Sequence, residues 1–344
     1  MDFSIKLINW YNQNKRDLPW RNTCDPYKIW LSEIILQQTR VNQGLPYYEA
    51  FVSNFPTVFE LSQADEQAVL KLWQGLGYYS RARNLHATAQ QVVKECNGVF
   101  PVSYDKLLQL KGIGPYTAAA IASFASNEAV AVVDGNVFRV LARVFGIDLD
   151  ISKNTTKTYF QNLAHSLMNP KLASIFNQAI MEFGALQCVP KNPQCNVCVF
   201  QVSCEAVKQK RVQELPVKTK IIKTKNRFFN YVLVEDVIGN IVLSQRKEKD
   251  IWQQLYELEL YETGNEVDED YIIEKIKERY EGVSILEFIH YDHLKVQHKL
   301  SHQNLWVQFF RVRLNMKIPQ AVGKEELKKF PFPIVLHNFM EKIV

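Results

Sequence analysis

The feature that most restricts how this chain can fold is a change of hydrophobic period on either side of a basic strip. Residues 1–206 carry apolar side chains at three- and four-residue spacing, broken by short segments such as NFP at 54–56, GVFP at 98–101 and GIGP at 112–115. That pattern predicts helix after helix. From 227 onward the runs are β-type: 228–236, 241–245 beyond a Gly239-Asn240 turn, 256–262, 284–291 and 305–314, with helical patterns near 269–280 and 333–342. Two domains are therefore expected: a mostly α domain over 1–206 and an α+β domain over 227–344, joined by a basic linker at 207–226. At 344 residues each half is long enough to bury its own core.

Charge follows the same division. The chain carries 41 Lys and Arg against 36 Asp and Glu, a net of +5. Between Lys208 and Arg227 there are eight basic residues (Lys208, Lys210, Arg211, Lys218, Lys220, Lys223, Lys225, Arg227) and one acid, Glu214, so the remainder of the chain is slightly acidic. Such a strip pairs with phosphates and releases counterions, or serves only as a solvated linker. The longest stretch free of Asp, Glu, Lys and Arg, Gly112 to Asn127, is too short and too polar to cross a bilayer. The N-terminus mixes charge with aromatics where a signal peptide needs an unbroken apolar core, so a cytoplasmic location is expected.

Four of the six cysteines crowd together as Cys188, Cys195, Cys198 and Cys204, spaced C-x6-C-x2-C-x5-C. Four thiolates in so short a loop fit one tetrahedral or cubane centre; their number alone does not separate zinc from iron and sulfur. A second signal is LKGIGPYTAAAIASFA, 110–125. A helix ending at Leu110, a Gly112-x-Gly114 turn and a helix opening on Pro115 make a helix-hairpin-helix, whose backbone amides can approach a DNA phosphate irrespective of base sequence. An ordinary αα-hairpin shares the two glycines.

Two carboxylates complete the set. In IWLSEIILQQT, 29–39, Glu33 is the only charge and apolar residues surround it on every side of the helix. Burial there raises a carboxyl pKa toward neutrality, as a general acid requires, although a Glu bonded into structure reads the same way. Asp134 follows an apolar run and precedes a helix starting at Gly135, the position of an N-cap. Its amide hydrogen bonds and the helix dipole are expected to keep it ionised. One protonated and one ionised carboxyl is the pairing that cleaves acetal-like bonds through an oxocarbenium ion.

RDLPWR (16–21), WLSEIILQQTR (30–40), WQGLGYYSRARNLH (73–86), LKGIGPYTAAAI (110–121), VVDGNVFRVLAR (132–143), FNQAIMEFGALQC (176–188), the cysteine cluster and HKLSH (298–302) together resemble the MutY family of adenine DNA glycosylases, in the helix-hairpin-helix superfamily that includes endonuclease III. The resemblance covers nearly the whole chain. It implies a helix-hairpin-helix glycosylase domain with an iron–sulfur loop, followed by a Nudix-like domain. It implies excision of adenine mispaired with 8-oxoguanine or guanine in double-stranded DNA, by a monomer in base excision repair. Glu33 matches the general acid that protonates adenine N7. Asp134 matches the carboxylate that stabilises or captures the sugar cation, with Tyr116 and Asn136 in support. Arg21 and Gln178 match positions near the flipped adenine, Leu36 a substrate- or DNA-binding position, Gln38 and Tyr78 residues that wedge into the duplex, and Ser301 and His302 the loop that reads 8-oxoguanine. Leu300 stands where that loop usually has Phe. The cysteines match a [4Fe-4S] site. Tyr116 stands where the endonuclease III type has a Schiff-base lysine, so a monofunctional enzyme is expected. No Gly-x5-Glu-x7-Arg-Glu box is present, so pyrophosphate hydrolysis is not expected, and no cysteine follows Cys204, so the zinc ion that some relatives hold between the domains is not expected. The competing readings are an endonuclease III-type glycosylase with lyase activity and a non-catalytic iron–sulfur DNA-binding protein.

Overall fold

Helix starts are set by local chemistry. In the computed structural model, which describes residues 3–219 and 224–344, Asp25 caps α2 (Pro26–Leu36) through the Tyr27 amide and Asp65 caps α5 (Glu66–Leu72) through Gln67. Prolines open α2 and α8 (Pro115–Ser126), where a missing N–H costs nothing. The other helices of the N-terminal half are α1 (Phe3–Asn14), α3 (Val41–Asn54), α4 (Val58–Gln63), α6 (Ser80–Cys96), α7 (Tyr104–Leu107), α9 (Gly135–Phe145), α10 (Asn154–Leu167), α11 (Ala173–Leu186) and α12 (Glu205–Lys208).

The chain divides into two compact units, Met1–Gln63 with Asn84–Lys220, and Ala64–Arg83 with Ile221–Val344. In the first, α8 is the central post. Its Ala118, Ala119, Ala120 and Ala122 are buried, and their small size lets α2 and α11 pack close on either side. A larger core joins Leu7 and Trp10 of α1, Val137 and Leu141 of α9, Phe160 of α10 and Phe176 and Phe183 of α11, and extends to Phe200 and Leu215. Arg211 pairs with Asp148, and the Ile151 amide donates to Val217, so the chain after α12 lies along this unit. Lys220 and Lys223 of the basic strip lie outside the described residues.

The hairpin differs in one detail from the sequence expectation. Its first helix ends at Leu107 and continues as turns, because Gly112 at φ +75° redirects the chain toward α8. A Cβ on Gly112 would lie 2.8 Å from the Asn84 Cβ, so this position needs glycine for both its conformation and its space.

In the second unit β1 (Lys225–Glu235) pairs in parallel with β7 (Gln303–Leu314), Phe229 opposite Val307, and antiparallel with β4 (Glu259–Thr263). On the far edge of β7 lie β5 (Ile285–His290) and β6 (Val296–Lys299), both antiparallel to it. The central strands are buried on both faces. Val232, Val234, Phe310 and Val312 pack with Ile272 and Ile276 of α13 (Glu269–Arg279), while Phe309 stacks on Phe339 of α14 (Ile334–Ile343) at 4.2 Å.

Two expected strands shrink. Asp236 accepts hydrogen bonds from the Ile238 and Asn240 amides, Gly239 sits at φ +89°, and Ile241 makes only isolated bridges to Glu235 and Val322. The 241–245 run is thereby reduced to β2 (Ser244–Gln245), paired with β3 (Tyr256–Glu257) in a separate two-stranded sheet. The 256–262 run splits between β3, which pairs with β2, and β4, which pairs with β1.

The excursion Ala64–Arg83 is tied into the second unit by side-chain bonds to backbone: Lys71 to the Phe330 carbonyl at 3.0 Å, Arg83 to the Gln253 carbonyl at 2.8 Å, and the Phe332 amide to Gln74 at 3.1 Å.

Candidate active site

Glu33 lies on the last turn of α2, a helix apolar all round, with Ile29, Trp30, Ile34 and Ile35 buried beside it. Its carboxylate accepts a 2.8 Å hydrogen bond from the Tyr116 hydroxyl at the start of α8. Burial raises Glu33 to about 7; Tyr116 and Arg21 oppose the rise and Asp134 adds to it. Tyr116 is itself driven well above its ordinary value by burial and the neighbouring carboxyls, so it remains a donor.

Asp134 is the N-cap of α9, accepting from the Asn136 and Val137 amides at 2.9 and 2.8 Å and from Asn136 Nδ2 at 2.8 Å. The sequence expectation that these bonds keep its pKa low is corrected: burial outweighs them and the carboxyl is shifted upward. The two acids are therefore coupled. Asp134 has three donors and a helix N-terminus to hold its charge where Glu33 has one hydroxyl, so the first shared proton resides on Glu33.

Both carboxyls line one cavity of about 390 Å3, within the range of pockets that enclose a small ligand. Arg21, Leu36, Gln38, Tyr116, Asn136 and Gln178 line it too, so eight of the residues singled out from sequence meet there. Gln38 has φ +59°, a left-handed conformation that a non-glycine residue adopts at a cost.

Three residues were missed. Glu182, on α11, is 1% exposed and accepts from Arg16 at 2.5 Å and Arg21 at 2.7 Å. Burial alone would raise its pKa, yet the two guanidinium groups hold it at about 2. Glu182 is the sole charge of α11, the same signal that marks Glu33. Arg139 connects the cavity to the cysteine loop by donating to Asn136 Oδ1, the Gly184 carbonyl and the Cys188 carbonyl.

Cys188, Cys195, Cys198 and Cys204 are free thiols that line one small pocket with Phe183, Phe200 and Arg143. Arg143 donates to Cys188 Sγ at 3.5 Å and the Phe200 amide to Cys198 Sγ at 3.4 Å. Burial pushes the Cys198 thiol up to about 11. Among the described residues no group of three or more His, Cys, Asp or Glu side chains is arranged to hold a metal ion. Gly112 and Gly114 form the hairpin turn of the same unit.

Within the second unit, Ser301 and His302 occupy the exposed turn between β6 and β7, closed by the Leu300 amide on the Gln303 carbonyl. The Tyr78 hydroxyl lies 2.5 Å from Ser301 Oγ, so two residues 223 positions apart meet there. Tyr78 is exposed, at φ +48°, with the Arg81 guanidinium over its ring. No helix among the described residues is long and apolar enough to cross a membrane.

Residues 31–166 match the family model of the HhH-GPD superfamily base excision DNA repair protein, and residues 230–342 match the NUDIX domain model. The adenine DNA glycosylase of Buchnera aphidicola subsp. Acyrthosiphon pisum is 31% identical over 360 residues, 99% of this chain and 98% of that protein. The adenine DNA glycosylase of Homo sapiens is 42% identical over 221 residues, 62% of this chain and 40% of that protein. Among solved structures, a thermostable thymine-DNA glycosylase superposes with a TM-score of 0.56 at 29% identity, covering 60% of this chain and 95% of that one. A trapped endonuclease III–DNA covalent intermediate shares the fold, with a TM-score of 0.53 at 19% identity over 60% of this chain and 94% of that one. The chain belongs to the adenine DNA glycosylase family, base excision repair enzymes that hydrolyse N-glycosyl bonds in DNA.

Proposed function

We propose that this enzyme removes adenine from adenine:8-oxoguanine and adenine:guanine mispairs, as a monomer and without strand cleavage of its own. The observation that carries the reading is the single cavity holding both Glu33 and Asp134 in different hydrogen-bonding environments. A base inside the stack is out of reach, so the adenine nucleotide is extruded into that cavity. Glu33, protonated near neutral pH, gives its proton to adenine N7. The C1′–N9 bond then breaks with its electron pair leaving on the purine. Asp134, oriented by Asn136, stabilises or briefly captures the sugar cation until water attacks C1′. Tyr116 holds Glu33 in place, and Arg21 and Gln178 face the base.

Lyase chemistry needs an amine at the sugar, and the side chain that reaches Glu33 from α8 is a phenol. The four cysteines suit a [4Fe-4S] cluster: a four-thiol donor set around one pocket, with N–H groups already directed at two of the sulfurs. Bound there, the cluster would supply order to the loop 188–204 that Arg139 and Arg143 join to α9. Gly112 and Gly114 would approach the DNA backbone, Gln38 and Tyr78 would enter the duplex, and Ser301 and His302 would read the 8-oxoguanine edge.

Single-turnover excision on adenine:8-oxoguanine, adenine:guanine and adenine:thymine duplexes tests this. The first is expected to be cut fastest and the matched duplex not at all, while Glu33→Gln binds the mispair and releases no adenine. Equal excision from all three duplexes, or full activity in Glu33→Gln, would contradict it.

A further inference from the structure

The catalytic cavity has a neighbour. A second cavity of about 460 Å3 in the same unit is lined by Tyr11, Asn22, Asn127 and Ser174, together with Arg16, Arg21 and Gln178. The last three also line the catalytic cavity, so they form the partition between the two. Two of them are fixed, since Arg16 and Arg21 are clamped on the buried Glu182 at 2.5 and 2.7 Å. Gln178 is not clamped. Its Oε1 accepts a 2.7 Å hydrogen bond from the Tyr11 hydroxyl, and its Nε2 reaches Ser174 only at 3.5 Å. A single hydrogen bond between neutral groups holds far more weakly than a doubled charge-assisted clamp, so Gln178 is the part of the partition that can swing.

The reaction creates a need for such a door. While the base is attached it enters with its strand; once the C1′–N9 bond breaks it is a free neutral purine behind a mouth still crossed by DNA. The second cavity offers what that product needs: the Asn22 side-chain oxygen, the Gln178 amide and the Ser174 hydroxyl, donor and acceptor types that pair with the edge of adenine, beside Lys15, Asp17 and Lys171 at its rim, while Asn127 is held by the Ser174 amide and the Lys171 carbonyl. Resting on the excision reading above, we infer that this cavity receives the free adenine base after cleavage and is its way out, with Gln178 as the gate and the Tyr11 hydroxyl as its latch.

The test separates base release from chemistry. Ser174→Phe fills the cavity from its half-buried wall, and Leu172→Trp does so from a position that is 43% exposed and tolerant of size. With radiolabelled adenine in an adenine:8-oxoguanine duplex, acid quench of the full-length enzyme gives the rate of bond cleavage. Rapid gel filtration of the unquenched complex gives the rate at which free adenine leaves while DNA is still bound. Wild type is expected to lose the base before the DNA. Either plugged variant is expected to cleave at the wild-type rate but to release the base roughly tenfold more slowly. Unslowed release from a variant that cleaves normally overturns the exit route and leaves the excision reading standing. A wild-type enzyme that frees no adenine overturns both.

Discussion

The buried acid makes a prediction about stability as well as catalysis. Glu33 is lifted from 4.5 to about 7 by burial, so ionising it in the folded protein is less favourable than in the unfolded chain by about 3 kcal/mol, at roughly 1.4 kcal/mol per tenfold in proton affinity. The favourable contribution of the protonated form is fully present below pH 4.5 and is lost as pH rises through about 7. Replacing Glu33 with Gln removes the ionisation and keeps the shape. The variant should therefore match wild type in stability near pH 4.5 and gain on it steadily up to about pH 7, with a constant advantage above that. An advantage of about 3 kcal/mol would raise Tm by roughly 6–12 °C at pH 8, on a scale of about 2–4 °C per kcal/mol. Differential scanning calorimetry of both proteins from pH 4.5 to 8.5 measures the difference directly. A difference that does not change with pH, or a variant less stable than wild type at pH 8, would refute the assignment of Glu33 as a buried carboxyl poised near neutrality.

Further outcomes follow from the packing around the cavity. A Cβ on Gly184 would lie 2.6 Å from the Asn136 Cβ and 3.0 Å from its carbonyl oxygen, so Gly184→Ala should cost about 1–3 kcal/mol in denaturant unfolding and slow single-turnover excision by displacing Asn136. Glu182→Gln leaves Arg16 and Arg21 without their shared anion and should cost roughly 3 kcal/mol at pH 7. Because Glu182 is held at about 2, the stability it confers is present above its unfolded pKa and is lost as pH falls through about 2, so the penalty of the substitution should shrink in acid. With a tyrosine rather than an amine at position 116, borohydride treatment during turnover should trap little covalent protein–DNA complex; strong trapping would point to an amine nucleophile elsewhere.

The sequence exposes some of this architecture and hides the rest for physical reasons. Glu33 is legible because a lone carboxylate among apolar neighbours on every face of a helix has nowhere to go but inward. Glu182 carries the same signature in ASIFNQAIMEFGAL, and the rule applied to one would have found the other. The N-cap of Asp134 can be read from its neighbours, but its burial cannot: its upward shift comes from how α2, α8 and α11 close around it, which is tertiary. The parallel pairing of β1 with β7 joins segments about eighty residues apart, and no local pattern encodes it. β6 is only VQHK, too polar and short to signal a strand. The excursion 64–83 leaves no mark either, because Lys71, Arg83 and Gln67 hold it through backbone carbonyls, which every residue type provides.

The most direct measurement is the pH dependence of single-turnover adenine excision. With Glu33 as the proton donor at about 7, the rate should fall tenfold for each pH unit above that point. Tyr116→Phe, which removes the hydrogen bond that favours the ionised form, should move the descending limb to higher pH whatever it does to the maximal rate. A rate that climbs between pH 7 and 8.5, or a limb that stays in place without the Tyr116 hydroxyl, would contradict the account.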